Sequence, residues 1–225
     1  MIFRAGRPAA LALLLCSLST RSFAAPTEKV SFRTADGVTL NALFAKPGAG
    51  KPVVIMLHGL ASTKEEWLPL IGALTKKDLG VLAYDSRPPG TPWEKLVDDV
   101  GAAVRYLEEK QGVDRKSVLL AGASLGANVC VKYNALTNVG RGVLLLSPGL
   151  NYQGLTTGDS VQKIKKTPLL FVASPADYYA YQSCLSLIRL ASNGNFWSSN
   201  KPGHGVQMFD ADLLNKLTLW LESQK

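Results

Sequence analysis

A serine, a histidine and an aspartate in this chain have the types and order needed to move an acyl group. Gly122-Ala123-Ser124-Leu125-Gly126 places a glycine two positions to either side of a serine. That pattern suits a sharp strand-to-helix turn that lifts the hydroxyl above a sheet, where it can attack a carbonyl. A serine hydroxyl needs a base to take its proton, and the base needs a carboxylate to hold it in place. The chain has 2 histidines, His58 and His204. His204, in Pro202-Gly203-His204-Gly205, lies downstream of the serine, and the flanking glycines suit a loop that presents it, so it is the candidate base. His58 directly follows an apolar run and reads as a structural residue that pins its loop. Asp177, in Ser174-Pro175-Ala176-Asp177, is the candidate orienting acid and gives the chain order Ser, Asp, His. Asp159 is its rival, and Asp85 reads as a structural residue holding its own turn.

Acyl transfer also requires donors for the oxyanion that develops at the attacked carbonyl. The backbone N–H of Leu125, next after the serine, is one candidate. The other is the N–H of Leu60, in the loop His58-Gly59-Leu60-Ala61-Ser62-Thr63.

These residues need elements to position them. Val30 to Thr34 and Thr39 to Ala45 alternate around Asp36-Gly37, which predicts a hairpin. Continuous apolar runs follow at Val53–Leu57, Val81–Tyr84, Val118–Ala121, Val143–Leu146 and Leu169–Val172, with a weaker one at Asn195–Ser198. Runs without alternation suit strands covered on both faces. Between them, Trp67, Leu70, Ile71 and Leu74 share a helical face, as do Leu96, Val97, Val100, Val104 and Leu107. Leu125–Leu136, Ala180–Ala191 and Asp210–Leu221 read as three further helices. Such alternation predicts a parallel sheet with helices on both faces. The longest irregular stretch runs from Pro148 to Thr167, too short for a separate cap domain.

Composition narrows the field. With 47% apolar and 19% charged residues, the chain is not disordered, and 3 cysteines in 225 residues cannot form a disulfide scaffold. Two histidines are too few for a multi-histidine metal centre, and no metal or cofactor is expected. The net charge of +8 is spread along the chain, with one short basic run at 163–166. A nucleic-acid protein would show a basic stripe or a binding motif, so no nucleic-acid partner is expected.

Arg4 and Arg7, the apolar run Ala9–Leu18 and the small residues around Ser22-Phe23-Ala24 are laid out as a secretory signal, with cleavage expected after Ala24. The run is about half the roughly 20 residues that span a bilayer, so no stable membrane anchor is expected. Secretion or a periplasmic location follows. Of the cysteines left after cleavage, Cys130 and Cys184, each sits among apolar neighbours in an expected helix. Export permits a disulfide between them, and buried free thiols are equally natural.

Together, His58-Gly59, Gly122–Gly126, Asp177, Gly203-His204-Gly205 and the order of strands resemble the α/β-hydrolase superfamily, over essentially the whole stretch from Val30 to the last helix. Within it the chain is most similar to small, lidless serine esterases of the dienelactone-hydrolase-like group. True dienelactone hydrolases carry a cysteine nucleophile where this chain has Ser124. The resemblance implies a mostly parallel eight-stranded sheet with helices on both faces and no cap domain. With the signal layout read above at 1–24, the expected organisation is a signal peptide at 1–24 and one hydrolase domain at 25–225. The resemblance also implies Ser124 as nucleophile, Asp177 as orienter, His204 as base, and Leu60 with Leu125 as oxyanion donors. One departure is Ser86-Arg87-Pro88-Pro89-Gly90, where many relatives have a Gly-x-Gly turn, which leaves the pocket wall beside Arg87 open. The expected function is hydrolysis of small-molecule carboxylic esters with short to medium acyl groups, in an open pocket lined by Leu60, Leu150 and Tyr178. Acyl transfer or amide cleavage at the same site, or ligand binding without catalysis, are the alternatives. The oligomeric state is not legible from the sequence.

Overall fold

The structure is a computed structural model that describes residues 26–224; the expected signal segment lies outside the described residues. The chain opens with β1 (Glu28–Arg33), β2 (Thr39–Ala45) and β3 (Val53–Leu57), followed by α1 (Leu68–Thr75), β4 (Gly80–Tyr84) and α2 (Trp93–Gln111). Then come β5 (Val118–Ala123), α3 (Leu125–Thr137), β6 (Val143–Leu146), β7 (Asn151–Tyr152), β8 (Leu155–Thr156) and α4 (Gly158–Lys163). The described chain closes with β9 (Leu169–Ala173), α5 (Tyr178–Leu190), β10 (Gly194–Ser198) and α6 (Ala211–Ser223).

Eight strands form one sheet in the order β1-β2-β4-β3-β5-β6-β9-β10. β2 runs antiparallel to both of its neighbours, and every pairing from β4 through β10 is parallel. β3, β4, β5, β6 and β9 are buried at every position, because helices cover both faces. The pleat divides each strand between two cores. Val53, Ile55 and Leu57 of β3 join the core beneath α2, α3 and α5, whereas Val54 and Met56 join the core beneath α1 and α6. The weak apolar segment before the last helix is a true strand, since β10 pairs in register with β9 from Gly194 to Ser198.

One expectation is corrected. The stretch 148–167 is not irregular: β7 and β8 form a small antiparallel hairpin, and α4 follows it. Asn128 of α3, fully buried, anchors this hairpin by donating to the Leu155 carbonyl at 3.0 Å and accepting from the Gly149 N–H at 3.1 Å. No helix among the described residues is long and apolar enough to cross a membrane.

Candidate active site

Ser124 stands between β5 and α3 with φ 54° and ψ −122°. A left-handed φ is costly for a residue with a side chain, of order 1–3 kcal/mol, so packing must enforce it. Its N–H donates to the Leu146 carbonyl at 2.8 Å. The two glycines of the pentapeptide are demanded by contact. A Cβ on Gly122 would sit 2.3 Å from the Gly126 carbonyl oxygen, and one on Gly126 would sit 2.4 Å from that of Leu57. Helix α3 therefore enters against the end of β3 at a distance that no side chain permits.

His204 lies in the loop between β10 and α6. Its Nδ1 is 2.7 Å from Asp177 Oδ2. The pair is half-shielded, with side-chain exposures of 42% for His204 and 15% for Asp177. A turn presents Asp177 at the end of β9, where its N–H donates to the Ser174 carbonyl at 2.9 Å before α5 begins. The contact to His204 is therefore made by Asp177, while Asp159 sits in the first turn of α4.

The histidine loop is braced from three sides. Gly205 N–H donates to Ser147 Oγ at 2.9 Å, His204 N–H donates to Gln207 Oε1 at 3.1 Å, and the Lys201 ammonium donates to the Phe209 carbonyl at 2.5 Å. Ser147 is itself fully buried with φ 48°, its own N–H bonded to the Val172 carbonyl at 2.8 Å.

His58 is buried as a loop pin. Its Nε2 accepts from the Ser86 N–H at 2.8 Å, so its Nδ1 carries the proton and donates to the Gly59 carbonyl at 2.7 Å. Both nitrogens are thereby committed. Asp85 does hold a turn, but not its own: it accepts from the Lys64 N–H at 2.9 Å and from the Lys64 ammonium at 2.6 Å, across from the end of β4.

The loop carrying Leu60 has a clamp that sequence reading missed. Glu66 Oε1 accepts from the Gly59 N–H at 3.1 Å, and Oε2 accepts from the Ser62 hydroxyl. The carboxylate thus grips the loop on both sides of Leu60 and Ala61, and Ala61 is held at φ 57°. Leu125 opens α3, so its N–H belongs to the first-turn donors that have no partner within the helix.

Tyr152, on the β7–β8 hairpin, was also missed. Its ring stands edge-on to His204 with centroids 6.3 Å apart, and its hydroxyl donates to the Ser147 carbonyl at 3.3 Å. Burial pushes its phenol well above the ordinary value, with Asp177 and Tyr179 adding to the rise and the Ser124 hydroxyl opposing it. The only sequence signal was its place in a long stretch beyond a strand end.

Ser124, His204 and Leu60 line a common open groove of about 610 Å³ with Ser62, Glu66 and Gln207. A smaller cavity of about 110 Å³ lies on the other side of the Gly59–Ser62 loop, between that loop, the Ser86–Gly90 loop and α3. Leu150 and Tyr178, expected to line the pocket, line neither space. Leu150, just ahead of β7, is 40% exposed, and Tyr178, at the start of α5, is 74% exposed.

The wall beside Arg87 is settled by ion pairs. Arg87 binds Asp99 through Nε at 2.8 Å and Nη2 at 2.7 Å, and Asp36 through Nη1 at 2.9 Å and Nη2 at 2.7 Å. Hydrogen bonds from Arg87 and Thr34 hold the Asp36 carboxyl far below its ordinary value. Burial outweighs Arg87 at Asp99 and raises that carboxyl. Cys130 and Cys184 are both buried free thiols, which burial pushes well up.

Residues 54–219 match the model of the alpha/beta hydrolase family. The uncharacterized protein YfhR of Salmonella typhimurium is 31% identical over 126 residues, covering 52% of this chain and 41% of that protein. The chain thus spans less than half the length of that relative. Among solved structures, the esterase Pf2001 of Pyrococcus furiosus superposes with a TM-score of 0.76 at 19% identity, covering 96% of each chain. A dienelactone hydrolase from Anabaena variabilis superposes with a TM-score of 0.73 at 14% identity, covering 89% of this chain and 97% of that one. At these identities the structural likeness concerns the fold alone.

Proposed function

The chain belongs to the alpha/beta hydrolase family, and from that premise we propose that it is a serine hydrolase cleaving small-molecule carboxylic esters through an acyl-enzyme on Ser124. One observation carries this reading. His204 is held by Asp177 at 2.7 Å, and it lines the same groove as Ser124 and Leu60.

In the first step Ser124 Oγ attacks the ester carbonyl carbon while its proton passes to Nε2 of His204. Asp177, bonded to Nδ1, fixes the tautomer that leaves Nε2 free and favours the imidazolium that forms. The negative charge that moves onto the carbonyl oxygen is met by the N–H groups of Leu60 and Leu125, preorganised by the Glu66 clamp and by the start of α3. Collapse of the tetrahedral intermediate breaks the bond to the alkoxy oxygen, which takes the proton from His204 and departs as the alcohol. A water then repeats the attack on the acyl-enzyme with His204 as base. The acid is released and the Ser124 hydroxyl restored. Each turnover consumes one ester and one water and releases one alcohol and one acid.

A fluorophosphonate probe tests the nucleophile. Mass spectrometry is expected to find one adduct, on the peptide carrying Ser124, and none in Ser124→Ala. An unlabelled protein would point to ligand binding without catalysis. Products formed with an added acceptor alcohol separate hydrolysis from acyl transfer. We also propose export with cleavage after Ala24, for which an N-terminus at Ala25 in protein recovered from the cell envelope or medium is the expected finding. Intact residues 1–24 in that protein would contradict it.

A further inference from the structure

Resting on the esterase reading, we infer that Tyr152 is a positioning residue of the site, whose ring holds the His204 imidazole in the orientation that presents Nε2 to Ser124. The inference comes from the contact between the two rings and from how much of the neighbouring structure serves to place Tyr152.

The bond to Asp177 fixes one atom of the imidazole, Nδ1, at 2.7 Å. A ring held at one atom can still tilt about that bond, and the His204 side chain is 42% exposed, so packing does not enclose it. Proton transfer depends on alignment, and a misplacement of about 1 Å can cost a hundredfold in rate. A second contact is therefore needed, and Tyr152 makes it. The two rings meet at 84° with centroids 6.3 Å apart, the arrangement in which the positive edge of one ring faces the negative face of the other. The Tyr152 hydroxyl donates to the Ser147 carbonyl at 3.3 Å, and Ser147 Oγ accepts at 2.9 Å from the N–H of Gly205, the residue after His204. Tyr152 is thus joined to the histidine loop twice, by its ring and through Ser147. Burial holds its phenol well above the ordinary value, so the hydroxyl keeps its proton for that bond around neutral pH.

The hairpin that carries Tyr152 is built with little freedom. Tyr152 pairs across it with Leu155, and residues paired in this way share a face. Leu155 is fully buried, so the Tyr152 ring is turned toward the body of the protein. Besides the Asn128 anchor, the buried Thr157 hydroxyl donates to the Gly149 carbonyl at 2.8 Å. The Tyr179 hydroxyl accepts from the Asn151 N–H and donates to the Asn151 carbonyl, each at 3.0 Å. The Tyr179 ring also lies against that of Tyr152, with centroids 5.6 Å apart. Gly149 is required by the same packing, since a Cβ there would sit 2.7 Å from the Tyr152 ring. Gly149, Tyr179 and Ser147 therefore fix the Tyr152 ring, and the ring in turn fixes His204.

Two variants and one spectroscopic measurement on the mature protein test this. Tyr152→Leu, which puts an apolar side chain in place of the ring, is expected to lower kcat for p-nitrophenyl acetate by about ten- to a hundredfold with little change in KM, and to slow fluorophosphonate labelling of Ser124 by a similar factor. Tyr152→Phe keeps the ring and loses only the bond to Ser147, so it should retain most of the wild-type kcat. A residue that merely supported the fold would lower Tm without this split between kcat and KM and without rescue by phenylalanine. Wild-type kcat in Tyr152→Leu, or an equal fall in both variants, would overturn the inference. Should Tyr152→Leu not fold, the wild-type protein still decides. The chain has 2 histidines, so the His204 ring protons can be resolved by NMR, and cross-relaxation between them and the Tyr152 ring protons is expected. Its absence would overturn the inference while Ser124-dependent turnover left the esterase reading standing. A wild-type protein without Ser124-dependent turnover would instead overturn the esterase reading itself.

Discussion

At the residue scale, each candidate group owes its place to a neighbour that fixes it. Asp177 acts on His204 through one short bond, so Asp177→Asn should leave the fold intact and lower kcat by about ten-thousandfold, the loss seen when a triad carboxylate becomes an amide that selects the wrong tautomer. Steady-state kinetics beside a thermal melt would check it, and a loss below tenfold would remove Asp177 from its role. Glu66 touches no reacting atom; it is a positioning residue for the Leu60 loop. Glu66→Ala is expected to lower kcat by about ten- to a hundredfold with a smaller change in KM, less than the loss of an oxyanion donor outright. Glu66→Gln, which can still accept from Gly59, should recover most of it. An equal fall with both variants would mean that the charge, not the grip, matters.

At the element scale, the Ser86–Gly90 loop, the β1–β2 hairpin and α2 are tied together by Arg87. Asp99 is 1% exposed at its side chain, so Arg87→Ala strands a buried carboxylate and should cost about 3–5 kcal/mol, measurable by urea unfolding. The pH dependence has a definite sign. Asp36 is held below its ordinary 3.8, so its contribution is fully present above pH 4 and is lost as the pH falls toward its folded value. Asp99 is raised, so its ionisation opposes folding as the pH rises through its folded value. Asp36→Asn should therefore destabilise the protein at pH 7, and the difference from wild type should shrink at pH 3. A constant difference across that range would show that the ion pair to Arg87 does not carry the effect.

At the scale of the whole molecule, the fold was legible where burial leaves a continuous apolar run. β3, β5, β6 and β9 are covered on both faces, and their sequences say so. The glycine-bracketed serine was legible because two backbone contacts exclude any side chain at Gly122 and Gly126. The β7–β8 hairpin was not, since two-residue strands carry no periodicity, and with it went the place of Tyr152. Leu150 lies just ahead of this hairpin and Tyr178 at the start of α5, and both are exposed, at 40% and 74%. The Glu66 clamp joins residues that come together only when the chain turns after β3, a tertiary fact that spacing does not reveal. The cysteines are a further global test. Both are buried, so Ellman's reagent should find no reactive thiol in the folded mature protein and two in denaturant, with no change in Tm on adding a reductant. Failure to find two thiols after denaturation would indicate a disulfide.

The most direct test of the central claim is hydrolysis of p-nitrophenyl acetate by the mature protein beside Ser124→Ala. Turnover is expected in the wild-type protein and is expected to fall in Ser124→Ala by about a millionfold, or to the limit of detection, because a serine and its base act as a unit. Equal rates in the two proteins, whether negligible or measurable, would contradict it and leave the chain a hydrolase by fold without this chemistry.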